Sequence, residues 1–221
     1  MSFSIRTYKA LLDHEIRLEF RNKQAITSLL IYSISSIYIS YLSYRQQLDP
    51  ITWNALFWII MLFAATNAIA RSFLQESRGI QLYHYTLMDP ASVILSKITY
   101  NVLILCILGF VNLLFFGVFF ELPVHDLWQF SICLILGSFG LSAVLTLVSA
   151  IVSRAQGNAA LVAILGFPLL FPLLITIIKV SQSSIDGTGW EINQPYWVVL
   201  IAVNSIIVTL SYLLFPYLWR D

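Results

Sequence analysis

The sequence predicts an all-α integral membrane protein, and three observations predict it. Of the 221 residues, 59% are hydrophobic and 10% are charged, against about 25% charged in a soluble domain. Six apolar blocks reach the length of about 20 residues that a helix needs to cross a bilayer. The basic residues also segregate: Arg6, Lys9, Arg17, Arg21, Lys23, Arg71, Arg78, Lys97, Arg154 and Arg220 fall on one side of those blocks, and Arg45 and Lys179 on the other. Because Lys and Arg favour the cytoplasmic side, this is a six-span helical protein with both termini inside. It has an N-terminal amphipathic interfacial helix and a polar cytoplasmic connector between spans two and three. Barrel strands are excluded, since the blocks are continuous and show no apolar-out, polar-in alternation.

The N-terminal segment, residues 1–24, places Ile5, Tyr8, Leu12, Ile16 and Phe20 on one helical face. Asp13 with Arg17 and Glu19 with Lys23 stand four apart on the others. Such a helix lies flat in the inner interface, and with charges throughout and no apolar core it does not read as a cleavable signal. Span one, about 25–44, carries Ser28, Tyr32, Ser36, Ser40 and Tyr44 at intervals of four. That stripe suits close helix packing, and it equally suits the lining of a pathway. Span two is about 51–70. Span three, about 98–120, follows the polar connector. Span four, about 127–152, has Ser138, Ser142, Thr146 and Ala150 at the same spacing.

Span five, about 158–178, contains Pro168 and Pro172 one turn apart. Each removes a backbone donor and crowds the carbonyl four residues back, which predicts a kink, static or mobile. Residues 179–194, with Gly187 and Gly189, and the following Pro195 read as an irregular outer loop, and span six is about 195–218. No internal repeat or low-complexity segment divides the chain, so residues 1–221 form one membrane domain.

The residues that could carry chemistry are few. His14, His84 and His125 lie in terminal or loop segments, and no nucleophile with a base stands within a span. Cys106 and Cys133 sit in apolar blocks without metal-ligand spacing and read as packing residues. There is no phosphate-binding G-x-x-x-x-G-K-[ST] loop, so any ATP is hydrolysed by another protein. The span cores lack Asp, Glu, Lys, Arg and His, which counts against an ion-coupled transporter. The 12 Lys and Arg nearly cancel the 11 Asp and Glu, which excludes the basic field that nucleic acid requires.

The connector reads QESRGIQLYHYTLMDPASVILSK, residues 75–97. Leu82, Tyr85 and Met88 share one face of a short helix that Asp89-Pro90 would end. Two readings stay open, a solvated loop or a helix that receives a push from a cytoplasmic motor. Together with the run LGSFGLSAVLTLVSAIVSRAQGNAAL and the double-proline block LGFPLLFPLLI, this connector resembles the cytochrome c maturation protein B family, also called haem exporter protein B. The resemblance covers nearly the whole chain in layout and motif order. It implies a non-catalytic permease subunit of an ABC-type complex in the bacterial inner membrane. That complex couples ATP hydrolysis to haem export, delivery or release for c-type cytochromes. It further implies an ATPase partner of the maturation protein A type, maturation proteins C and D, a permease dimer, and haem as the handled ligand with ATP on the partner. By position, Glu76, Gly79, Leu82, Leu87 and Pro90 would form the ATPase-coupling segment. Trp190 and Trp197 fit an interfacial aromatic belt, and no residue is assigned to haem. Two alternatives remain: a scaffold that links the ATPase to haem-handling proteins without conducting substrate, and an ABC permease for another small molecule.

Overall fold

The computed structural model describes residues 5–21, 23–44, 48–74, 90–154 and 159–220. They form seven helices: α1 Ile5–Arg21, α2 Lys23–Tyr44, α3 Pro50–Leu74, α4 Pro90–Phe119, α5 Leu127–Arg154, α6 Ala159–Ile185 and α7 Trp190–Arg220. Five of them, α3 to α7, contain segments long and apolar enough to cross a membrane. The serine- and tyrosine-rich α2 is not among the five over its described residues. Successive helices from α2 onward run antiparallel, so the bundle has a connector end, where α3 stops and α4 starts, and a far end.

α5 is the central post, packed against α3, α4, α6 and α7. Its residues 140–150 are buried on every side, which small side chains make sterically feasible. At Gly137 an added Cβ would stand 2.7 Å from the Trp58 ring, and at Gly140 it would collide with Asn204 Oδ1 and lie 2.6 Å from Leu173. Towards the far end an aromatic core fills the space between α3, α4 and α5. Trp53 and Phe57 stack with centroids 5.6 Å apart, Phe116 meets Trp53 edge-on at 5.1 Å, and Phe130 meets Phe57 at 5.4 Å. Edge-to-face and offset pairs of this kind add about 0.5–1.5 kcal/mol each beyond their buried area.

Several boundaries differ from the sequence reading, each for a local reason. α4 begins at Pro90, eight residues before the expected span; proline at a first helical position gives up a donor that had no partner there. Lys97 therefore lies inside a helix rather than at its edge. At the far end the expected loop of residues 179–194 shrinks to residues 186–189. Gly187 takes φ 67°, Thr188 N donates to Ser183 O at 3.0 Å, and Asn193 Nδ2 donates to Thr188 Oγ1 at 2.7 Å. These bonds close one helix and open the next within a single turn, leaving Pro195 in the second turn of α7. Asp49 caps α3, its carboxylate accepting from Thr52 N at 3.0 Å and Thr52 Oγ1 at 2.6 Å. Asp126 caps α5 by accepting from Gln129 N at 3.0 Å, while its own N–H donates to Ser184 O at 3.0 Å.

Candidate functional site at the connector end

Of the residues expected to form the coupling segment, Glu76, Gly79, Leu82 and Leu87 lie outside the described residues. Pro90 is the first residue of α4, so the connector feeds directly into this 30-residue helix. At 1.5 Å per residue α4 measures about 45 Å, some 15 Å more than a hydrocarbon core. The eight residues from Pro90 to Lys97 account for about 12 Å of that surplus. Ala91, Ser92, Val93, Ile94, Ser96 and Lys97 are all buried, because α1 packs against this base.

The buried edge of α1 is centred on Leu11, with Tyr8, Leu12, Glu15 and Ile16 half-buried beside it, and Lys9, Asp13, His14 and Arg17 exposed behind. The expected apolar face is therefore present in part but includes a carboxylate. Lys97 Nζ lies 2.9 Å from Glu15 Oε1, and the two side chains are only 2% and 11% exposed. Tyr8 Oη donates to Thr99 Oγ1 at 2.9 Å, and Thr99 Oγ1 donates to Leu95 O at 2.9 Å. Sequence reasoning missed the ion pair because its partners are 82 residues apart. The available signal was Lys97 itself, a cation entering an apolar run, where an ionisable group requires a partner.

The other side of the α4 base is bonded to α5. Ser142 Oγ donates to Ile98 O at 2.9 Å, and Asn101 Nδ2 donates to Thr146 Oγ1 at 2.9 Å. Two members of the Ser138, Ser142, Thr146, Ala150 stripe thus join helices within one turn of Lys97. Displacement of the Pro90 end of α4 would act on α1 and α5 together.

The remaining sequence candidates are placed as follows. In α2, Ser28, Tyr32, Ser36 and Ser40 are half-buried and Tyr44 is exposed, while the stripe facing the bundle is Leu29, Ser33 and Ile37. Ser40 Oγ donates to Ser36 O of its own helix at 2.9 Å. In α6 the helix continues through Pro168 and Pro172, both exposed, and Thr176 Oγ1 donates to Pro172 O at 2.8 Å.

Beyond the prolines α6 is fastened to α3 by a buried polar cluster that the sequence did not single out. Asn54 Nδ2 donates to Ile178 O and Gln182 Oε1, both at 3.1 Å. Ser181 Oγ lies 2.8 Å from Asn54 Oδ1 and accepts from Trp58 Nε1 at 2.9 Å. Asn204 Nδ2 donates to Leu136 O at 3.1 Å and ties α7 to α5.

Among the described residues no three of His, Cys, Asp and Glu come together as metal ligands would. The arrangement is one long helix that starts where the connector ends in sequence, held on two sides by polar bonds. The family described as CcmB protein matches the chain over residues 6–217. No curated protein matches it.

Proposed function

Because the chain belongs to the CcmB protein family, a family of haem-exporter ABC permease components for cytochrome c maturation, we propose that it couples ATP hydrolysis by a separate ATPase to haem export, delivery or release. The observation that supports this reading is the match itself, which takes in all but a few residues at each end. In this reading α2 is the sixth span beside α3 to α7, both termini face the cytoplasm, and α1 lies at the inner surface of a bacterial inner membrane. The excess of Lys and Arg on that side supports the orientation.

The segment containing Glu76, Gly79, Leu82 and Leu87, ending at Pro90, docks in a groove of the ATPase, and two permease copies work with two ATPases. Maturation proteins C and D complete the assembly, with haem handled in transit and ATP held by the partner. ATP drives a change only if the ATPase binds two permease states with different affinity, and the continuity of connector and α4 is the route by which that difference would reach the spans.

The test is purification of the chain from its own membranes in mild detergent, with mass spectrometry of what accompanies it and an absorption spectrum of the same sample. An ABC ATPase and the maturation proteins are expected, with a Soret band that disappears when maturation protein C is deleted. No ATPase under any mild condition would overturn the reading. Bulky substitutions along the Ser28 to Tyr44 face then separate the roles: a conducting subunit loses haem delivery, and a scaffold retains it.

A further inference from the structure

We propose that Lys97 and Glu15 form a charge latch that makes α1 travel with the base of α4, so that the N-terminal helix is a moving part of the coupling machinery rather than an anchor in the lipid. The proposal deepens the coupling reading above and rests on it for the source of the motion. Its geometry is independent of that reading.

Three observations support it. First, the ammonium of Lys97 is 2% exposed and 2.9 Å from the Glu15 carboxylate. A buried charge stripped of its partner is strongly unfavourable, while the pair contributes registry more than stability. Docking of α1 therefore brings a countercharge to within 2.9 Å of a buried ammonium. Second, the Tyr8–Thr99 bond at 2.9 Å gives α1 a second attachment seven residues from Glu15, about 10 Å along its axis. Two points on one face prevent α1 from rolling or sliding on α4. Third, the latch stands where the connector's helix enters the bundle, one residue before Ile98, whose carbonyl accepts from Ser142. A push on Pro90 meets Lys97 before it reaches the spans. The apolar side of α1 is already occupied by Leu11 and its neighbours packing inward, which leaves the charged side, not the apolar one, to face outward.

The experiment compares the unaltered chain with Glu15→Gln, with Lys97→Met and with the double exchange Glu15→Lys plus Lys97→Glu. In the purified full chain, hydrogen exchange of α1 amides should rise about tenfold or more in each single variant and return towards the original rate in the double exchange. Unchanged exchange in the single variants overturns the latch, as does a double exchange no better than either single change. Should the single variants fail to accumulate, the double exchange decides alone, by the same criterion.

The travelling claim is tested in the chain with its ATPase. Spin labels at Asp13→Cys and Leu103→Cys, with Cys106 and Cys133 replaced, should keep one separation with and without ATP, and Lys97→Met should make that separation ATP-dependent. A separation that changes with ATP while the latch is intact overturns it. If no ATPase accompanies the chain, the coupling reading fails, while the amide exchange still decides the latch.

Discussion

Replacing Asn54 by valine tests how the bundle is fastened at its far half. The side chain is fully buried in α3 and contacts α6 three times: donation to Ile178 O and to Gln182 Oε1, each at 3.1 Å, and acceptance at 2.8 Å from the Ser181 hydroxyl, whose one proton Ile177 O also faces at 2.9 Å. Interhelical hydrogen bonds in membrane proteins average about 0.6 kcal/mol with an upper end near 1.7. Three such contacts are together worth about 2 kcal/mol, or roughly a twentyfold change in the unfolding equilibrium. Valine nearly keeps the volume, so little of the loss comes from a cavity. The assay is reversible unfolding of the purified chain in mixed micelles of rising denaturing detergent. It is run on Asn54→Val, Ser181→Ala and the pair, with Trp58→Phe to remove the indole donor that reaches Ser181. The pair should fall short of additivity by about 0.6 kcal/mol. A loss for Asn54→Val below about 0.5 kcal/mol, or strict additivity with Ser181→Ala, would refute the claim that these bonds hold α3 to α6.

Further outcomes follow from single positions. Gly137→Leu drives a side chain into the buried Trp58 ring and should cost about 1–3 kcal/mol in the same unfolding assay. Phe57→Ala empties the aromatic core between α3, α4 and α5 and should cost about 3–5 kcal/mol by that measure. Asp49 has its carboxyl held below the usual 3.8, first by the Thr52 hydroxyl and then by the Thr52 amide. Its capping contribution is complete above that usual value and is lost as pH falls through the lower folded one. The Thr52 amide resonance should report that loss on acidification, and Asp49→Ala should abolish the titration. Finally, Leu82→Glu together with Leu87→Glu should leave the chain in the membrane while halting cytochrome c maturation, as measured by covalent haem in c-type cytochromes; normal maturation would exclude the docking role of residues 75–89.

Much of the architecture was legible because bilayer thickness sets a minimum length for an apolar helix, and the runs that became α3 to α7 have that length without regard to neighbours. Their ends were less legible. A proline is equally at home at a helix start and beyond a helix stop, so Pro195 reads as part of a loop rather than of the second turn of α7, and only the bonds of Thr188 and Asn193 show how tight the far turn is. Stripes of small polar residues are ambiguous in the same way. Ser142 and Thr146 reach across to α4, whereas Ser40, at equal spacing in α2, bonds to its own helix; the difference lies in which neighbour stands opposite, and spacing along one chain does not contain that. The Lys97–Glu15 pair and the Asn54 cluster escaped for a related reason, since their partners are separated by 82 and more than 120 residues.

The bonds of α6 beyond Pro172 give its two prolines an anchored side. From Leu173 to Ile185 the helix is bolted to α3 by Asn54 and Ser181, and Cys133 adds a contact to Ile177 O at 3.7 Å. From Leu161 to Phe171 it turns Leu161, Ile164, Leu165, Phe167 and Phe171 outward and packs inward through Val162, Gly166 and Leu170. With Pro168 and Pro172 taken as a fulcrum, the arm from Ala159 to Phe171, about 13 residues, is about 20 Å long. A rotation of about 10° at that fulcrum sweeps its tip through some 3 Å, close to the width of a methyl group. Because a close-packed protein wall resists such a sweep and an exposed face does not, torque applied at the connector end would be spent on this outward-turned arm, leaving the far half of the bundle in register.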